Sequence, residues 1–244
     1  MDESSKVVEL PPSPEKKRRK IVLIGGAVVV LLSLVVVLVL SFSPVLAAKT
    51  IEVNGTKLLS EEKLLESLAP LEGTPLPRIS ESKVESLLGD QPAIESIVVR
   101  AQMPDTLVVE IHEAVPVAIL VDGKTNYLVS ETGAKLKKLG AKDETKLPKI
   151  KASDATKDPE KFKLLTSILS GVDAKVLEQV STASLTEAGF MELALPQKRT
   201  LIWGDGEKAG LKNQVTQIFL NNEKDDTDAK KTIDVSNPEN PVTY

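Results

Sequence analysis

The sequence predicts an α+β protein hung from a single membrane-spanning helix. Three observations carry that prediction: a long apolar run near the start, a strand–helix–helix–strand–strand pattern after it, and short strands through most of the second half. The run Ile21–Leu40 holds sixteen Leu, Ile or Val in twenty residues, and no charge lies between Lys20 and Lys49. At 1.5 Å rise per residue, twenty residues reach about 30 Å, the thickness of a bilayer's hydrocarbon core. The sequence therefore predicts a transmembrane helix over residues 21–43. Lys16, Lys17, Arg18, Arg19 and Lys20 stand directly before it. Such a cluster stays on the cytoplasmic side and acts as a topology signal, so residues 1–20 read as a polar, disordered cytoplasmic tail. Everything after the span is then expected outside the cytoplasm. The rival reading is a cleaved signal peptide, because Val45-Leu46-Ala47 resembles a small-residue cleavage site. The apolar run is longer than the h-region of a signal peptide, which favours a retained anchor.

The first extracytoplasmic module spans 48–116. Thr50–Val53 is a strand candidate closed by the turn pair Asn54-Gly55. Ser60 is a good N-cap, with Glu61 and Glu62 in the first turn and Leu64, Leu65 and Leu68 on one helical face. Ser80 repeats the pattern with Glu81, Val84, Leu87 and Leu88, and Gly89 ends that helix. Ile97, Val99 and Ala101 then alternate with Val98, Arg100 and Gln102. After the turn Met103-Pro104-Asp105-Thr106, Leu107, Val109 and Ile111 alternate with Val108, Glu110 and His112. Two antiparallel strands joined at Pro104 follow, with one sheet face covered by the two helices.

The second module, 117–244, is β-rich. Val117–Val121 and Tyr127–Val129 flank the turn Asp122-Gly123, and Ala134–Leu139 follows the turn Glu131-Thr132-Gly133. Residues 140–158 read as polar apart from Leu147-Pro148-Lys149-Ile150. A helix over Lys161–Leu169 and a short one over Asp173–Val180 precede strands at Ser184-Leu185, Phe190–Leu195 and Thr200–Trp203, the last carrying a Trp203 expected in the core. Lys208–Leu220 reads as a helix and 221–231 as a charged loop. Thr232–Val235 and Pro241–Tyr244 are two short strands around Asn237-Pro238.

Composition narrows the function. Aromatic residues make up 3 % of the chain and cysteine is absent. The core must be built of Val, Leu and Ile, and neither a disulfide framework nor a thiol nucleophile is available. The whole chain carries −4; residues 1–20 carry +2, so the remainder carries −6. A net-acidic domain argues against nucleic-acid binding. His112 is the single histidine. His112-Glu113 opens like a zinc-protease motif, but residue 116 is Pro, and one His without Cys does not build a zinc site. Gly204-Asp205-Gly206-Glu207-Lys208-Ala209 fits G-x-G-x-x-A, yet Asp205 and Glu207 would repel a pyrophosphate, so a strand-exit turn is expected. Asp225-Asp226-Thr227-Asp228 lacks the glycine and distal Glu of a calcium loop and reads as a solvated charged segment. Gly25-Gly26 gives the span a slim spot for helix contact. No catalytic residue, metal site or cofactor is predicted.

The most specific stretch is Ile94–Leu120, IESIVVRAQMPDTLVVEIHEAVPVAIL. It resembles the FtsQ/DivIB family of bacterial cell-division proteins in its Val-x-Arg, its proline turn, its Leu-x-Val-x-Ile-x-Glu run and its Pro-Val-Ala. YLVSETGAK at Tyr127–Lys135, Leu147-Pro148, Ile202-Trp203-Gly204 followed by Lys208, and the ending IDVSNPENPV support the resemblance. Met103 stands where many members carry Trp, which implies one weakened packing contact. The resemblance implies a POTRA domain over 48–116 and an FtsQ/DivIB-type β domain over 117–244. It implies a non-catalytic single-span scaffold at the division septum. The partners implied are the small bitopic proteins FtsB (DivIC) and FtsL, with septal wall synthases engaged indirectly. It also implies that a partner adds a strand at the edge formed by Pro241, Val242, Thr243 and Tyr244, backed by Ile233 and Val235. An exposed edge strand carries unpaired N–H and C=O groups that a partner can satisfy. The readings of a different class are a membrane-tethered extracellular hydrolase using paired carboxylates and a POTRA-type chaperone or translocation module.

Overall fold

A computed structural model describes residues 14–42, 46–140, 143, 145–151, 158–222 and 231–244. Residues 1–13 of the predicted tail, and Asp225–Asp228 of the charged segment, lie outside them. Helix α1 (Pro14–Phe42) takes in the basic cluster as well as the apolar run. Its side chains from Arg18 to Val37 are exposed, and by length and composition it can cross a membrane.

The first sheet holds β1 (Thr50–Asn54), β2 (Ile94–Gln102) and β3 (Thr106–Glu113) in the order β1-β3-β2. β1 runs parallel to β3 from Thr50↔Thr106 to Asn54↔Glu110, and β2 is antiparallel to β3. Helices α2 (Glu61–Leu68) and α3 (Glu81–Leu88) cover one face. Leu64, Leu68, Val84 and Leu88 meet Val53, Ile97, Leu107, Val109 and Ile111 in the core of this module. The period-two alternation of β3 puts Leu107, Val109 and Ile111 on this face and leaves His112 exposed. At the α3 N-terminus the Ser80 hydroxyl accepts from the Lys83 N–H at 3.3 Å. Ser60 has the extended backbone of an N-cap but makes no side-chain cap bond, so it caps α2 less fully than its sequence position predicts. Gly55 is required on two counts: its φ is +88°, and a β-carbon there would collide with the Ile111 carbonyl.

Among the described residues the second sheet has nine strands. It contains β4 (Ala118–Asp122), β5 (Thr125–Val129), β6 (Lys135–Leu139), β7 (Lys149–Lys151), β8 (Thr182–Leu185), β9 (Met191–Leu195), β10 (Arg199–Gly204), β11 (Thr232–Asp234) and β12 (Val242–Thr243), in the order β12-β11-β10-β9-β8-β7-β4-β5-β6. Helices α4 (Pro159–Ser170), α5 (Ala174–Leu177) and α6 (Ala209–Asn222) pack on one face. The core beneath them gathers Leu165, Leu169, Val176, Leu193, Leu201, Ile233 and the fully buried Trp203, as expected of that tryptophan. β7 overlaps the apolar exception Leu147-Pro148-Lys149-Ile150, which the sequence left without an assigned element. A single isoleucine between two lysines carries too little periodicity to announce a strand, and only the parallel slot beside β4, with Leu120↔Ile150, makes it one.

The two modules share a third cluster. Ile119, Leu128 and Leu136, on the helix-free face of the large sheet, meet Ala93, with Leu58, Leu59 and Ala114 packed against them.

Met103 stands 71 % exposed at the β2–β3 turn.

Candidate partner edge

The candidate edge is built at the far side of the large sheet. Leu201 pairs in parallel with Ile233, and α6 closes the crossover between β10 and β11. β12 then returns antiparallel to β11, with Ile233↔Thr243 and Asp234↔Val242. The Thr232 N–H donates to the Tyr244 carbonyl at 2.8 Å, and the Tyr244 N–H donates to the Thr232 carbonyl at 3.0 Å. In an antiparallel ladder, residues that exchange both bonds alternate with residues that exchange none. Thr243 therefore turns its N–H and C=O away from β11, toward the open side. Pro241 shares that orientation but has only a carbonyl to offer.

Side chains follow the same parity. Val242 is 53 % and Tyr244 61 % exposed, and both share the helix-free face with Asp234 and Thr232. Ile233 and Val235 are completely buried. They fix β11 from beneath and present nothing at the surface. The opposite edge of the sheet has another character. β6 reads Lys-Leu-Lys-Lys-Leu, and Lys135 stands over the Tyr127 ring at 4.3 Å and pairs with Asp122 at 3.4 Å. Lysines along an edge strand oppose pairing with another chain. β12 carries no charge.

Two ionic contacts hold this frame in place, and a third carboxylate acts in the first module. The Lys208 ammonium meets the Glu239 carboxylate at 2.6 Å, which ties the approach to α6 to the turn between β11 and β12. That contact holds Glu239 below the usual carboxylate range and raises Lys208. Lys212 is buried to 1 % exposure. Its ammonium donates to the Asp205 carboxylate at 2.8 Å and to the Asp205 carbonyl at 3.0 Å. The Lys212 bond, and then the Glu207 N–H, lower the pKa of Asp205. The G-x-G-x-x-A segment is thus a strand-exit turn fastened by its own aspartate. Gly204 enters that turn at φ +82°, with Ser236 too close to admit a β-carbon. In the first module, Glu113 accepts from the backbone N–H groups of Lys57, Leu58 and Leu59 at 2.9, 2.7 and 2.9 Å. The available signal was its phase: Glu113 continues the inward series Leu107, Val109, Ile111, where a carboxylate needs donors.

A family model described as POTRA domain, FtsQ-type, matches residues 46–114. Over 206 residues the chain is 28 % identical to cell division protein FtsQ of Mycobacteroides abscessus, covering 84 % of this chain and 63 % of that protein. It is 24 % identical over 205 residues to cell division protein FtsQ of Mycolicibacterium smegmatis, covering 84 % and 59 %. With cell division protein DivIB of Geobacillus kaustophilus the identity is 28 % over 139 residues, covering 57 % and 52 %. The chain thus spans about three-fifths of the length of the FtsQ proteins it matches. An FtsQ-type POTRA match over residues 46–114 thus lies within a chain that is similar over most of its length to cell-division proteins FtsQ and DivIB.

Proposed function

We propose that this chain is a non-catalytic, membrane-anchored scaffold of the septum-forming machinery. It docks small bitopic partners of the FtsB/DivIC and FtsL kind by strand addition at β12, and through them reaches the septal wall synthases. The observation that carries the proposal is the open side of β12, where Thr243 has an outward N–H and C=O between two exposed side chains, Val242 and Tyr244. A partner strand laid there gains main-chain bonds, and its alternate side chains meet Val242 and Tyr244. The lysines of β6 leave β12 as the more receptive edge of the large sheet.

The same reading places α1 in the cell membrane, with Lys16–Lys20 cytoplasmic and the two modules, 48–116 and 117–244, outside at the division site. Retention of the helix is supported by burial at its exit. Leu46 and Ala47 are buried, and Ala47 bridges Pro75. Cleavage after Ala47 would strip packed residues from the first module.

The test is Thr243→Pro. Proline removes the one outward N–H of β12 and leaves the bonds between Thr232 and Tyr244 in place. Co-purification of FtsB-like and FtsL-like partners is expected to fall at least tenfold, with the melting temperature held within a few degrees. Midcell localisation of a fluorescent fusion is expected to weaken in parallel. Undiminished co-purification would overturn strand addition at this edge.

A further inference from the structure

We infer that the tip of the β2–β3 hairpin, from the end of β2 at Ala101 through the turn residue Pro104, seats in the lipid interface beside α1 and holds the first module against the bilayer. The inference rests on the reading of α1 as a membrane span.

The topology sets the geometry. The chain leaves α1 at Phe42 and is docked into the first module by Leu46. Four Cα steps reach at most about 14 Å, so the end of the module that receives the chain lies close to the membrane. The docking is firm. The Ala48 N–H donates to the Thr74 carbonyl at 2.9 Å, and the Gly73 N–H donates to the Ala48 carbonyl at 2.9 Å. On the other side, the Lys49 and Thr50 N–H groups donate to the Asp105 carbonyl at 2.8 and 3.3 Å. The arriving segment is thus clamped between the Gly73–Pro75 loop and the β2–β3 turn. Parallel pairing of β1 with β3, beginning at Thr50↔Thr106, fixes that turn at the arrival end of the sheet. The opposite end of the sheet carries Glu113 and the loop to α2.

The chemistry of the turn suits a headgroup boundary. Ala101, Gln102, Met103 and Pro104 are all exposed and uncharged, and Met103 is exposed to 71 %. The adjoining anion, Asp105, is paired with the Lys49 ammonium at 3.0 Å, so no unmatched carboxylate of this turn faces the lipid. Lys49 itself is a snorkelling cation at the height of the headgroups. A methionine and a proline at the tip add apolar surface that is better buried in the interface than left in water.

The experiment uses the full chain reconstituted in phosphatidylglycerol–phosphatidylcholine vesicles. With no native cysteine, single-site spin labels are clean. Labels go at Gln102→Cys in the turn, Lys57→Cys at the opposite end of the same sheet, and Val36→Cys in the span. Relative collision with oxygen and with a water-soluble nickel chelate reports depth. The Gln102 label is expected to show an oxygen-to-nickel ratio several-fold above the Lys57 label and below the Val36 label. Adding Met103→Asp is expected to return it to the Lys57 value while the thermal melt stays unchanged. A Gln102 label as aqueous as the Lys57 label, with the Val36 label deep, overturns the inference and leaves the span intact. An aqueous Val36 label overturns the span itself.

Discussion

Lys212 and Asp205 show how one buried charge dictates the tolerance of its neighbours. The ammonium is enclosed, whereas the Asp205 side chain is about half exposed. Removing the charge and keeping the volume, as in Lys212→Met, leaves a carboxylate that water can solvate, and is expected to be near neutral in urea unfolding. Asp205→Ala leaves the ammonium buried with only a carbonyl. It is expected to cost about 2–3 kcal/mol, a value discounted from the buried-pair range because the Asp205 end is screened by water. The pH dependence has a definite sign. Asp205 titrates lower in the folded state than in the unfolded chain. Its stabilising contribution is therefore complete above the unfolded value of about 3.9 and is lost as the pH falls through the folded value. Lys212→Met is expected to flatten that acid limb, measured as melting temperature between pH 5 and pH 2. Glu113 makes the second residue-scale case. Glu113→Gln replaces a carboxylate that accepts three N–H bonds with an amide that has one acceptor oxygen, and is expected to lower stability by about 1–3 kcal/mol in urea unfolding.

Among the elements, the two edges of the large sheet are matched opposites. β12 is short, uncharged and open; β6 is longer and carries lysines at three of five positions. If those lysines guard the edge, the double substitution Lys137→Val and Lys138→Thr should raise self-association, measured by light scattering, while the monomer melts at an unchanged temperature. The elements also separate what was readable from what was not. β2 and β3 were plain because alternation ran for six residues in each, Ile97–Gln102 and Leu107–His112, and α2, α3 and α4 because apolar spacing met a capping residue or a glycine stop. β7 was invisible, since Lys149–Lys151 becomes a strand only through its neighbours. The outward residue of β12 was equally hidden. Pro241–Tyr244 could be named as an edge, but which N–H faces outward depends on the register with β11.

For the molecule as a whole, the question is how the two modules move together. Ile119, Leu128 and Leu136 on one side meet Ala93, Leu58 and Leu59 on the other, and the Glu113 clamp holds the loop that carries Leu58 and Leu59. The large sheet that carries β12 is thus packed, through these residues, against the module whose entry segment is clamped at Ala48 and Lys49. Leu128→Asp should break that linkage, because a charge replaces a side chain that is 3 % exposed. The expected result is two resolved thermal transitions in place of one, with a larger radius of gyration by small-angle scattering.

The sequence by itself determined the apolar span, the alternation of the first module, the presence of the helices and the absence of thiol chemistry, because each is set by composition or by a period along the chain. The tertiary structure alone decided the nine-strand order, the carboxylate of Glu113 over three N–H groups, the burial of Lys212 and the outward face of Thr243. Those features join residues that are distant in sequence, as Glu113 is from Leu58, or they turn on a one-residue choice of register, and neither leaves a period to read.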